Sequence, residues 1–165
     1  MKISESSDKR KIKELRYAFV DTPFGCTLTA CTELGICFAG FCCGDRQAAL
    51  DDLSRRFPCA ALHESGSAAL DIFAPTDAVH LIGTDFQRRV WRALLTVGAG
   101  ETLSYSRLAE RAGVPRAVRA TASAVASNPL SIIVPCHRII RNDGSTGEYY
   151  WGSELKKRLL EAEQR

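Results

Sequence analysis

The 165-residue sequence has one methionine, two tryptophans and three histidines, and no apolar run that approaches a membrane span. A bilayer-crossing helix needs about 20 consecutive apolar residues, so no membrane role is expected. The first ten residues contain no apolar leader core, and a cytoplasmic location is expected, nuclear in a eukaryotic source. Cys-x-x-Cys and His-x-x-x-His pairs are missing. Cys26, Cys31, His63 and His80 therefore lack the spacing of a zinc framework, and no metal is expected. The seven cysteines are odd in number and six fall within the first 59 residues, which argues against a secreted disulfide scaffold and for reduced thiols packed in strands.

What is present belongs to an ordinary globular chain, 45% hydrophobic and 25% charged. At this length about 70% of the unfolded surface can be buried, enough for one full core or two small subdomains. The net charge of +3 says little, but its placement says more. Residues 81–141 hold nine arginines against three acids, a modest footprint for a polyanion, although solvated helix faces produce the same pattern.

The polar residues 1–12 read as a flexible tail. Residues 15–20, 26–32 and 36–42 read as three strands joined by tight turns, an antiparallel meander. Asp45 can cap a helix carrying Ala48, Leu50, Leu53 and Phe57, and Pro58 stops it. Residues 59–80 have a weak pattern and read as a long connection. The division expected is a sheet-plus-helix subdomain with linker at 13–80 and a second domain at 81–165.

In that second part Thr84-Asp85-Phe86-Gln87 has the form of a capping box, followed by the stripe Phe86, Val90, Trp91, Leu94 and Leu95. Ser104 can cap a short helix that Gly113 ends, and Pro115 suits the first position of a helix running to 127. Two short helices around a glycine turn make a helix-turn-helix pattern. The second is rich in small residues, among them Ala120 and Ser123, which allows its backbone close to a groove and equally suits a tightly packed core helix. A final helix is expected at 154–163, capped by Ser153. Its last turn carries Glu161 and Glu163, the wrong sign for that end of the helix dipole by a few tenths of a kcal/mol, so a cationic or hydrogen-bonding partner is expected for one of them.

The chemistry concentrates in Ile132-Ile133-Val134-Pro135-Cys136-His137-Arg138-Ile139-Ile140. Adjacent side chains on an extended strand point apart, so Cys136 and His137 cooperate only if the chain bends there, which Pro135 favours. An imidazole, direct or through one water, can take a thiol proton and leave the nucleophilic thiolate. A buried inert cysteine beside a capping histidine fits these residues as well.

This run resembles the active-site signature of the O6-alkylguanine-DNA alkyltransferases. The resemblance extends over residues 83–163 through Phe86-Gln87, Val90-Trp91, Gly100-Glu101-Thr102, Ser104-Tyr105, Ala117-Val118-Arg119-Ala120, Asn128-Pro129, Trp151-Gly152 and Leu159-Leu160. It implies an α+β fold, with a small ribonuclease-H-like N-terminal antiparallel sheet and helix, and a mainly helical, winged helix-turn-helix-like C-terminal domain. It implies a monomer that binds duplex DNA in the minor groove, rotates an O6-alkylguanine out of the stack and transfers the alkyl group to Cys136, once per molecule and without a cofactor. O4-alkylthymine is a second substrate to consider.

By the same resemblance His137 is the water-linked base, Glu163 its orienting acid, Arg119 the finger that fills the vacated stack, and Tyr105 a donor to O6 beside the rotated phosphate. Asn128 joins the recognition helix to the active-site turn, although Asn-Pro also simply stops a helix. Val125, Pro135, Ile139, Tyr149 and Tyr150 are expected around the base, Ile139 through its backbone. Glu148 departs from the small residue usual in the family, which bears on substrate size. A DNA-binding regulator without transfer, a cysteine hydrolase, and a redox or metal-binding protein are the competing readings.

Overall fold

The computed structural model describes residues 1–164; Arg165, the end of the expected second domain, lies outside them. The chain forms two compact units, Met1–Thr84 with Pro129–Ile133, and Asp85–Asn128 with the chain from Val134 onward. The first unit thus extends past the expected boundary at residue 80, because residues 78–82 belong to its sheet.

That sheet has six strands: β1 (Lys2–Ser6), β2 (Glu14–Thr22), β3 (Gly25–Thr32), β4 (Gly35–Phe41), β5 (Ala61–Glu64) and β6 (Ala78–Ile82), in the order β1-β6-β4-β3-β2-β5. The antiparallel meander β2-β3-β4 forms its centre, and β1, β5 and β6 join through parallel pairings. Two sequence expectations are corrected here. Residues 2–6 of the expected tail are a strand, since Lys2 to Ser6 ladder against Ala78 to Ile82. Part of the expected connection, residues 61–64 and 78–82, is likewise strand. Both strands pair with partners distant in sequence, which local patterning does not report.

Gly35 is required at its turn. It has φ +137°, and a Cβ there would lie 2.6 Å from the Ala78 carbonyl oxygen, so only glycine admits β6 so closely. Helix α1 (Arg46–Arg56) starts as expected, with Asp45 Oδ1 accepting from Ala48 N at 2.9 Å. Leu53 and Phe57 pack with Leu15, Leu28, Cys37 and Phe38 in the core, and Ala49, rather than the exposed Ala48, shares that face. Among the described residues no helix is long and apolar enough to cross a membrane.

The second unit holds α2 (Asp85–Leu94), β7 (Leu103–Ser104), α3 (Tyr105–Arg111), α4 (Val118–Ala126), β8 (Ile139–Ile140) and α5 (Ser153–Glu163). Its core gathers Val90, Trp91, Leu94, Leu108, Ala124, Val134 and Leu159, and Trp91 Nε1 donates to the Ala124 carbonyl at 2.9 Å, which ties α2 to α4. Ser104 caps α3 as expected, accepting from Arg107 N. At the other end Gly113 N bonds Glu110 O and Val114 N bonds Ala109 O, with Gly113 at φ +72°. That paired arrangement is a Schellman motif, and it sets the turn between α3 and α4. The second helix begins three residues later than expected. Ala117 is non-helical (φ −106°, ψ 39°) and its N–H closes a turn onto Val114 O, so Pro115 sits in the turn rather than at the first helical position. Ser153 likewise lies inside α5, whose cap is Gly152 at φ 100°.

Candidate active site

Val134 through Ile140 bends as Pro135 suggested. Residues Cys136–Arg138 form one 3-10 turn, closed by Arg138 N to Pro135 O at 3.1 Å, and Cys136 N bonds Val134 O at 2.8 Å. The chain then enters β8, which pairs in parallel with β7 through Leu103↔Ile139 and Ser104↔Ile140. Because α3 begins at the next residue, this two-residue ladder puts Tyr105 beside the Cys136 turn.

His137 is buried, and its Nε2 lies 2.8 Å from Glu163 Oε1. Glu163 also accepts from Arg138, through Nη2 at 2.8 Å and Nε at 3.0 Å, and from Gly100 N at 3.2 Å. The acid at the wrong end of α5 thus has the cationic partner its position called for. Burial opposes its ionisation, but the hydrogen bonds donated by His137 and Arg138 outweigh that and hold its pKa down at about 2. An ionised carboxylate only accepts, so Nε2 carries the proton and Nδ1 is left as the basic nitrogen. Nδ1 is buried and makes no hydrogen bond to the described residues.

Cys136 is 4% exposed. Burial pushes its thiol pKa up, and hydrogen bonds from the Asn128 and Tyr149 side chains with the nearby Lys156 charge offset only part of that rise. It opens on a cavity of about 360 Å³ walled by Tyr105, Ala122, Val125, Ala126, Glu148, Tyr149, Tyr150 and Trp151, a volume near the lower end of small-ligand pockets, about 300–1,000 Å³. Of the residues expected around the base, Val125, Tyr149 and Tyr150 line it. Pro135 and Ile139 do not: both are buried, and the Ile139 carbonyl accepts from Lys156 Nζ at 2.5 Å. Tyr105 is half-buried, and burial together with the Cys136 and Glu148 charges raises its phenol above the ordinary value. Asn128 is buried at the end of α4, where Nδ2 donates to Val134 O at 2.8 Å; it thereby joins the helix to the Cys136 turn.

Sequence reading missed Lys156. Its side chain is fully buried, its ammonium donates to the Ile139 and Thr146 carbonyls, and burial lowers its pKa to about 8 against the opposing pull of Cys136. A signal was available: Lys156, Leu159 and Glu163 fall on one face of α5 at i, i+3 and i+7. Arg138, which holds Glu163, was also given no role.

On α4 the buried face is Thr121, Ala124 and Val125, and the opposite face exposes Arg119, Ala120 and Ser123. Ser123 Oγ donates to Arg119 O at 3.2 Å. The Arg119 guanidinium is exposed and has no ion pair among the described residues.

The fold that carries this helix-turn-helix and this buried thiol is shared with solved methyltransferases, among them the O6-methylguanine methyltransferase of Mycobacterium tuberculosis, at 32% identity and a TM-score of 0.67 over 91% of this chain and 93% of that one. The structure of Mycobacterium tuberculosis OGT in complex with DNA superposes with a TM-score of 0.72 at 31% identity, over 92% of each chain. The family model for the DNA-binding domain of 6-O-methylguanine DNA methyltransferase matches residues 85–165. The bifunctional transcriptional activator/DNA repair enzyme Ada of Escherichia coli is 41% identical over 90% of this chain and 45% of its own length. The methylated-DNA–protein-cysteine methyltransferase of M. tuberculosis H37Rv is 51% identical over 51% of each chain. The chain spans about half the length of the curated relatives it matches. It belongs to the O6-methylguanine-DNA methyltransferase family.

Proposed function

We propose that this protein repairs DNA by accepting the alkyl group of O6-alkylguanine on Cys136, once per molecule. The observation that carries this reading is a buried thiol facing an aromatic-walled cavity, with side-chain donors on the sulfur, a cation nearby, and a histidine held by an ionised glutamate at the adjacent position. A stacked base cannot bring O6 to such a thiol, so the nucleotide has to leave the duplex.

Glu163 fixes the tautomer of His137, and Nδ1 takes the thiol proton, directly or by relay. The thiolate is held by the Asn128 and Tyr149 donors and by Lys156, which at a pKa of about 8 remains largely cationic at neutral pH. Sulfur attacks the alkyl carbon, the S–C bond forms as C–O6 breaks, and the electron pair leaves on guanine. Tyr105, kept protonated by its raised pKa, donates to the oxygen where that charge grows. The thioether does not reverse, so an alkylated molecule is spent.

Duplex DNA is the partner, approached by α4 in the minor groove. Arg119 on its exposed face is the planar cation suited to the gap a rotated base leaves. The Val125 and tyrosine walls favour an alkylated base over a polar one. The test is the intact and peptide mass after incubation with a duplex carrying one O6-methylguanine. One methyl on the Cys136 peptide, stopping at one equivalent, is expected. Lesion binding with an unmodified Cys136 thiol would overturn transfer and leave a recognition module.

A further inference from the structure

Two cysteines of the first unit, Cys42 in its core and Cys26 packed against it, are placed in a way that alkyl transfer does not use. The register Thr27↔Phe41 between β3 and β4 continues by one step to Cys26 opposite Cys42, and Cys42 N donates to Cys26 O at 2.9 Å. Their sulfurs are in contact, Cys42 Sγ to Cys26 Sγ at 3.3 Å. Directly opposed residues of an antiparallel pair have Cα atoms about 4.5–5.5 Å apart. That span lies inside the window of about 4.4–6.8 Å that a disulfide tolerates. The sulfurs need to close by about 1.3 Å to reach a bond of about 2.0 Å.

We infer that Cys26 and Cys42 form a reversible, peroxide-driven disulfide, a redox modification site separate from the alkyl acceptor. Cys26 is partly exposed and is the thiol a small hydroperoxide reaches; Cys42 is 5% exposed and lies against it. The Cys26 thiolate attacks the peroxide: the O–O bond breaks, an S–O bond forms, and water leaves after taking a proton. Cys42 sulfur then attacks Cys26 sulfur, the S–O bond breaks, the S–S bond forms, and a second water carries off the Cys42 proton. Two thiols and one hydroperoxide become a disulfide, water and, for an organic peroxide, an alcohol. A dithiol returns both thiols by exchange.

The assignment of roles follows from the surroundings. Burial and contact with Cys26 push the Cys42 thiol up to about 12, which disfavours it as the first nucleophile and suits it to the second step, where its proton leaves with the departing hydroxide. Cys37 is fully buried in the core with its thiol on the Ala30 carbonyl, out of reach of a peroxide. Cys43 and Cys59 are exposed, and the strand register sets Cys42, not Cys43, opposite Cys26. The bond would close the β3–β4 hairpin at the point where the chain turns into α1, since Asp45 N bonds Cys42 O at 3.0 Å and Asp45 caps that helix.

The experiment treats the full chain with a small molar excess of hydrogen peroxide, quenches it, and blocks remaining thiols with N-ethylmaleimide in denaturant. No lysine or arginine lies between Arg16 and Arg46, so trypsin leaves both cysteines on one fragment. Cleavage after Glu33 separates Cys26 from Cys42, and tandem fragmentation distinguishes Cys42 from Cys43. The expected product is a Cys26–Cys42 cross-link that dithiothreitol removes, with Cys37 still blocked by maleimide. In Cys42→Ser the same treatment leaves Cys26 as a sulfenic acid that dimedone traps. The oxidised wild type melts higher than the reduced by on the order of 5 °C, a difference absent from Cys26→Ser. Wild-type protein in which Cys26 and Cys42 both stay maleimide-reactive, or in which Cys26 links only to Cys43, overturns the inference.

Discussion

Each unit buries a cysteine, and the two sites differ in what the sulfur touches. Cys37, in the first unit, lies 3.5 Å from the Ala30 carbonyl, an acceptor, and burial drives its pKa far up. Cys136, in the second, is nearly as buried but meets the Asn128 and Tyr149 donors and the Lys156 charge. Burial alone makes a thiol inert; the polarity of the surrounding groups separates a core residue from a nucleophile.

Exchanging each sulfur for oxygen gives the largest contrast. Cys136→Ser should abolish methyl acceptance from an O6-methylguanine duplex, read as intact mass. Cys37→Ser should keep full acceptance and lose about 1–2 kcal/mol of stability in urea unfolding, the cost of a hydroxyl in an apolar site. Glu163→Gln is next. It keeps the shape but removes the charge that fixes the His137 tautomer, and the single-turnover rate should fall by about 10²–10⁴-fold while DNA affinity holds. Retention of the wild-type rate would show that His137 needs no ionised partner. Lys156→Met removes the donor to two buried carbonyls and the cation near Cys136. It should destabilise the protein by about 2–4 kcal/mol, and the reaction should need a higher pH to reach half its maximal rate.

The smallest effect is a difference in acid sensitivity. His80 bonds Ser6 Oγ and Thr32 Oγ1 with its two ring nitrogens, and burial lowers its pKa from the ordinary 6.5. Below 6.5 the unfolded chain takes that proton first, so stability falls as pH drops from there until the folded protein also protonates. Glu163 has its pKa lowered to about 2 from 4.5, so its contribution is complete above 4.5 and is lost as pH falls toward 2. Urea unfolding against pH should therefore show two windows. His80→Gln should flatten the upper one and Glu163→Gln the lower.

What was legible in the sequence is local. The strands and tight turns of residues 15–42, the Asp45 and Ser104 caps and the Gly113 stop are each decided within a few residues, and the structure has them where patterning put them. Strands β1, β5 and β6 were not legible, because their evident reason to be strands is a parallel partner tens of residues away. At the site, the wrong-signed Glu163 announced the need for a partner, and Arg138 supplied it. Lys156 went unread because a lysine inside a helix is ordinarily solvated; only its phase with Leu159 and Glu163 sets it apart.

The ladder of β7 with β8 consists of two backbone pairs, and Tyr105 follows one strand while Cys136 precedes the other by three residues. Main-chain bonds set that spacing, so residues 103–104 and 139–140 count positions more than they demand side chains. An insertion or deletion of one residue in either strand shifts tyrosine against thiol by a full strand step, about 3.3 Å. Exchanges among β-branched and other apolar residues leave the step intact. Variation in this segment should accordingly be permissive in letters and intolerant in length.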